Sequence, residues 1–341
     1  MSEHPAMNRR WRHTSRNLHK LCCLLLISSA VGAQSFHATP LNDLGNGKYK
    51  GFEGGLYENG SNTPPADHDA AGQELASQVA PIRGKFVLLS IGMSNAVVEF
   101  KAFKPLAESD PRVNHRTLAI VNGAKGALTG CAWVDPHATP AENGCILPGP
   151  QPNEYDRIRD ELLKPKGLSE DQVEVIWMKN ANPVPHIALP SPDAEAYTYE
   201  RQIGETARSA KARYPNLKLL FLTSRIYAGY ATKRLNPEPY AYENGFSVKW
   251  AIQAQVDQMR KGGKVDPIAG DLDYKRGVAP WIAWGPYIWA DDGKPRSDGL
   301  TWKPDEYQPD GTHPNKIGQH KVAEILLNFF LESPYTAWFK K

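Results

Sequence analysis

A chain of 341 residues, 41% of them hydrophobic, is long enough for one large domain of roughly 250 residues with accessory segments. Its 40 Lys and Arg stand against 37 Asp and Glu, a formal charge of +3, but five of the bases and one acid fall in the first 33 positions, and without them the balance is 35 against 36, or −1. A nearly neutral body excludes nucleic acid as the expected partner, because holding a phosphate backbone requires clustered positive charge.

The chain opens with Arg9, Arg10, Arg12, Arg16 and Lys20 ahead of a short apolar run, 21–31, which ends in Val31-Gly32-Ala33. This is the pattern of a secretory signal peptide cut after Ala33. The run falls short of the about 20 apolar residues that a membrane span needs. No second run of that length follows, so the expected product is soluble, periplasmic or secreted, and free of the membrane after cleavage. Cys22 and Cys23 leave with the signal. Cys131 and Cys145 remain, and in an exported protein they are expected to form a disulfide, with two free buried thiols as the alternative. Two such ligands give a metal site little support, and none is expected.

Residues 34–80 are rich in Gly, Asn, Pro and Ala, as in Gly45-Asn46-Gly47 and Thr63-Pro64-Pro65, and read as a loop-rich arm lying over the main domain. From Lys85 onward short apolar runs at 86–91, 117–121, 173–178, 217–223 and 278–284 alternate with helical patterns at 96–107, 154–163, 199–214, 247–261 and 316–331. Five strands separated by helices predict an α/β fold, a parallel sheet covered on both faces. Long connections at 131–152, 227–245 and 287–308 are expected to gather at the C-terminal edge of that sheet and shape a pocket. The chain divides into 1–33, 34–80 and 81–341.

A serine hydroxyl becomes a useful nucleophile only when a base takes its proton, and a carboxylate commonly orients that base. Ser94 follows the first strand in a turn set up by Gly92. Asp310 and His313 sit three residues apart just before the last helix. In a doubly wound sheet both ends of the chain can meet on that edge. His68, His115 and His186 are assigned no role.

Four blocks between residues 85 and 332 resemble the SGNH (GDSL-type) hydrolase superfamily. Ile91-Gly92-Met93-Ser94-Asn95 is closer to the G-x-S-N form of carbohydrate esterases than to G-D-S. Val121-Asn122-Gly123-Ala124-Lys125-Gly126 is similar to the second block. Trp177-Met178-Lys179-Asn180-Ala181-Asn182-Pro183 stands where the family has G-x-N-D, a departure from its pattern. Asp310-Gly311-Thr312-His313 matches D-x-x-H.

The resemblance implies a flavodoxin-like, three-layer α/β/α sandwich around a five-stranded parallel sheet. It also implies a Ser94, His313 and Asp310 triad, with the backbone N–H groups of Ser94 and Gly126 and the side chain of Asn182, or alternatively Asn180, holding the oxyanion. No cofactor or metal is required. Tyr287, Trp289 and Trp302, beyond the last strand, are candidates for stacking on a sugar ring. The resulting expectation is an exported serine esterase removing short acyl groups, foremost acetyl, from carbohydrates or other small esters. A lipid or small-ester hydrolase, an acyltransferase and a non-catalytic glycan-binding protein are the alternatives.

Overall fold

The computed structural model describes residues 36–341 apart from Lys261. The expected signal segment, with Cys22 and Cys23, lies outside the described residues. The chain begins with one helical turn, α1 (Leu41–Leu44), and a two-residue hairpin, β1 (Lys48–Tyr49) and β2 (Phe52–Glu53), followed by α2 (Ala66–Ser77). Then come β3 (Phe86–Gly92), α3 (Ser94–Ser109), β4 (Leu118–Asn122), α4 (Glu154–Arg157), β5 (Val173–Lys179), α5 (Glu195–Arg213), β6 (Leu219–Thr223), α6 (Tyr240–Arg260), β7 (Trp281–Trp284) and α7 (Lys316–Glu332).

Strands β3 to β7 form one parallel sheet in the order β4-β3-β5-β6-β7, flanked by helices, as the alternation of apolar runs and helical patterns predicts. Every residue of β3, β5, β6 and β7 is buried. That is why these runs are continuously apolar rather than alternating. The chain leaves β3 for β4 on one side and then crosses to β5 on the other. The crevice beyond the C-terminal ends of β3 and β5 is therefore the switch point where open α/β sheets place their ligands.

Three local expectations need correction. Residues 34–80 include a three-turn helix, α2, where only turns were expected. Pro65 directly precedes it, and the fixed φ of proline suits a helix entrance as well as a loop. The helix expected over 154–163 is a short α-helix running into a π-helical turn at Ile158–Leu163. The last strand begins at Trp281, because Pro280 brings no N–H to a ladder. The N-terminal segment is bound to α6 through aromatic pairs: Tyr49 stacks with Phe246 at 5.8 Å between ring centres, and Phe52 meets Trp250 at 5.2 Å.

His68 of α2 stacks on Trp281 of β7, with ring centres 4.8 Å apart, and its Nε2–H donates to the carbonyl of Ile282 at 2.9 Å. Burial pushes its pKa down to about 4, against the opposing pull of that hydrogen bond. A depressed pKa means stability that is complete above the ordinary histidine value of 6.5 and is lost as the pH falls towards 4. The loss should amount to about 3 kcal/mol. Urea unfolding at pH 7 and pH 4.5 should show this loss in the wild type and a smaller one in His68→Phe; equal losses would remove His68 from the account.

Candidate active site

β3 delivers the chain into the switch-point crevice through Gly92, whose φ is +140°. A Cβ there would lie 2.1 Å from the carbonyl oxygen of Lys179 at the end of β5, so only glycine allows the two strand ends to approach this closely. Two residues later Ser94 opens α3. Its backbone N–H is among the first of that helix, which have no acceptor within it, and its side chain sits in the positive field of the helix N-terminus.

The other half of the site comes from the turn before α7. Asp310 Oδ1 accepts from the backbone N–H groups of Thr312 and His313, both at 3.0 Å, which closes the turn on itself. His313 Nδ1–H donates to Asp310 Oδ2 at 2.5 Å, and Ser94 Oγ–H donates to His313 Nε2 at 2.8 Å. The Asn95 amide donates to the Thr312 carbonyl at 3.1 Å, joining the start of α3 to the turn. Asn315 caps α7 by accepting from Ile317 at 2.9 Å and Gly318 at 3.4 Å. Burial pushes the Asp310 carboxyl upward, but the hydrogen bonds from the His313 backbone, the His313 ring and the Thr312 backbone outweigh it and hold the group below the usual carboxylate range. An ionised Asp310 fixes the proton on Nδ1 and leaves Nε2 as acceptor for the serine hydroxyl. Such a line can draw a proton from Ser94 while its oxygen attacks a carbonyl.

The turn is fixed by a second contact. Gly311 has φ +62°, and a Cβ there would lie 1.8 Å from the carbonyl oxygen of Tyr230. The N–H of Thr232 donates to the Asp310 carbonyl at 3.0 Å. The connection 227–245 thus presses directly on the acid of the site, and its Leu235 and Asn236 also border the adjoining cavity.

That cavity, about 350 Å³, is bordered by Ser94 and His313 and is mostly apolar, with Met93, Ile146, Pro148, Pro183 and Leu235 among its walls. Ile146 is 90% exposed and Leu235 37%, which marks the mouth. The disulfide Cys131–Cys145 is present and clasps the loop immediately before Ile146. Among the described residues no cluster of His, Cys, Asp and Glu is placed to hold a metal.

The structure brings together Ser94, His313 and Asp310, while of the other expected oxyanion donors neither Asn182 nor Gly126 presents a free N–H to the cavity. Asn182 borders the cavity, yet its Nδ2 donates to Glu195 at 2.7 Å and to Gln202 at 2.6 Å, so both amide protons are committed. Asn180 is buried and does not border the cavity; its Oδ1 accepts from the Ala181 N–H at 2.9 Å, and its Nδ2 has no partner among the described residues. Gly126 is exposed and does not border the cavity; its neighbour Ala127 does.

The aromatic expectation is corrected outright. Tyr287, Trp289 and Trp302 are buried in the core. The Tyr287 hydroxyl accepts from the Leu41 N–H at 3.2 Å, Trp289 donates to Glu238 at 2.7 Å, and Trp302 donates to the Ile288 carbonyl at 2.7 Å. Each amphipathic ring has found an internal partner, so none offers a face to a sugar.

Two features escape the sequence reading. Lys179 and Glu99 form an ion pair with no exposure on either side, at 2.6 and 2.7 Å to the two carboxylate oxygens. Arg225, two residues beyond β6, is fully buried at the cavity. The available signal was a charge placed just past an apolar strand, at the edge of the sheet where sites form.

No family model matches the sequence, and no curated protein does. Among solved structures, one similar chain is a gut microbial diltiazem-metabolizing enzyme, 11% identical with a TM-score of 0.34; 74% of this chain and 48% of that one are covered. This chain therefore spans about half the length of that enzyme. Another is a GDSL-like lipase from Parabacteroides merdae, 11% identical with a TM-score of 0.32, covering 74% of this chain and 97% of that one. The reading of the site rests on its own geometry.

Proposed function

We propose that this chain is a serine esterase acting on short-chain esters through an acyl-enzyme, as the resemblance to SGNH hydrolases implies. The observation that carries the proposal is the hydrogen-bonded line from Ser94 through His313 to Asp310 at the wall of the cavity. Ser94 Oγ bonds to the ester carbonyl carbon while His313 Nε2 takes its proton. The developing oxyanion is held by the Ser94 N–H at the start of α3. The proton passes to the departing alkoxide, and water reverses the sequence to free the acid.

Export by a signal peptide cut near Ala33 belongs to the same proposal and agrees with the disulfide. Support for a carbohydrate as the alcohol part is confined to the G-x-S-N form of the nucleophile block. A second reading, hydrolysis of small esters with an apolar alcohol, is favoured by Ile146, Leu235 and Pro148 at the cavity.

Hydrolysis of aryl esters with acyl chains of two to twelve carbons tests the proposal. Turnover should be greatest for the shortest acyl groups and fall with length as the chain outgrows the cavity. A rise with chain length would favour a lipid substrate, and no turnover of any ester would sink the esterase.

A further inference from the structure

Arg225 carries more unsatisfied hydrogen-bonding capacity than any ordinary buried side chain. Its Nε, Nη1 and Nη2 are all buried, and none has a hydrogen-bond partner. Its place is nevertheless fixed, because its backbone N–H donates to Asn244 Oδ1 of α6 at 3.1 Å. Buried charges are ordinarily paired, since leaving water is costly, and a guanidinium with no acceptor is therefore a group held ready for one.

The groups that attract it electrostatically are already committed. Both oxygens of Glu99 bind Lys179. Glu238 accepts from the Ala228 and Tyr242 N–H groups and from Trp289. Asp310 is bound to its own turn and to His313, and the Tyr307 hydroxyl donates to the Tyr227 carbonyl. None of these groups gives the Arg225 side chain a hydrogen bond, and the cavity it borders is where a bound molecule could supply one. The cavity it borders is otherwise mostly apolar and opens at Ile146 and Leu235.

We propose that Arg225 anchors a carboxylate carried by the substrate at the inner end of the cavity, so that the ester this site prefers is an anionic one. The proposal rests on the esterase reading. A planar guanidinium offers paired N–H groups that match the two oxygens of a carboxylate, a match that one neutral carbonyl oxygen cannot fill. The carboxylate can sit on the acyl side, as in a dicarboxylic half-ester, or on the alcohol side, as in an acylated hydroxy acid; the chemistry at Arg225 is the same.

Two substrate pairs separate these sources: 4-nitrophenyl hemisuccinate against its methyl ester, and O-acetylmandelate against methyl O-acetylmandelate. The carboxylate member of one pair should be preferred in kcat/KM by about 100-fold, and that ratio should collapse towards one in Arg225→Gln, with Arg225→Lys between them. Equal losses on charged and neutral esters would overturn the proposal by making Arg225 a general oxyanion donor or a structural residue.

Two further readouts do not depend on turnover. Calorimetry of Ser94→Ala with succinate and mandelate should show binding that Arg225→Gln, added to it, removes. Arg225→Met should raise the thermal midpoint, since it removes an unpaired buried charge, and a fall would count against the proposal. Turnover of neutral esters without carboxylate preference or carboxylate binding defeats the anion site and leaves the esterase standing. Carboxylate binding without turnover of any ester does the reverse.

Discussion

Ser94→Ala is expected to reduce the hydrolysis of 4-nitrophenyl acetate by at least about 10⁴-fold while leaving the fold intact, because in the proposed mechanism the hydroxyl oxygen forms the covalent bond, and a hydrogen replaces the hydroxyl without strain at the head of α3. His313→Ala should lose about as much. The double variant should lose no more than either single one, since base and nucleophile act as a unit. Steady-state rates for the three proteins, with circular dichroism to confirm folding, decide the matter. Ser94→Ala within tenfold of wild type would mean that another nucleophile, or an activated water, performs the reaction.

Glu99→Gln is expected to cost about 3–5 kcal/mol of stability, the largest effect foreseen away from the triad. It leaves the Lys179 ammonium buried without its counter-charge, in an interior that already holds the unpaired guanidinium of Arg225. Burial depresses the Lys179 pKa; the charge and hydrogen bond of Glu99 oppose this and repulsion from Arg225 adds to it, so losing Glu99 removes the group that favours the charged amine. Replacing both partners together, Glu99→Leu with Lys179→Met, should be far milder than either charge-breaking change. Denaturant unfolding of the single and double variants supplies the test, and additive effects would deny the coupling. Because the Lys179 carbonyl abuts Gly92, the single variants should also disturb Ser94 and lower kcat.

The sheet was legible because burial on both faces writes itself as unbroken apolar runs, which is how 86–91 and 173–178 read. Helix α2 was hidden, since Pro64 and Pro65 signal a turn and a helix start alike. Ser94, His313 and Asp310 could be located because each lies within a short local pattern at a strand end or a helix entrance. The oxyanion donors could not, because whether Asn182 has a free N–H depends on Glu195 and Gln202, 13 and 20 residues away in sequence. The aromatic residues misled for a related reason. Tyr287, Trp289 and Trp302 look the same in sequence whether they face a ligand or a buried hydrogen-bond partner, and the latter holds for all three.

The connection 227–245 supplies part of the cavity wall through Leu235 and Asn236 and also confines the Asp310 turn, through Tyr230 against Gly311 and Thr232 on the Asp310 carbonyl. For the proposed esterase, substrate breadth and alignment of the Ser94–His313–Asp310 line are therefore not independently adjustable. Libraries that diversify this segment to admit bulkier esters should return variants whose gains in scope are tied to losses in turnover, and second-site changes that restore speed should cluster around Tyr230 and Thr232 rather than around the triad.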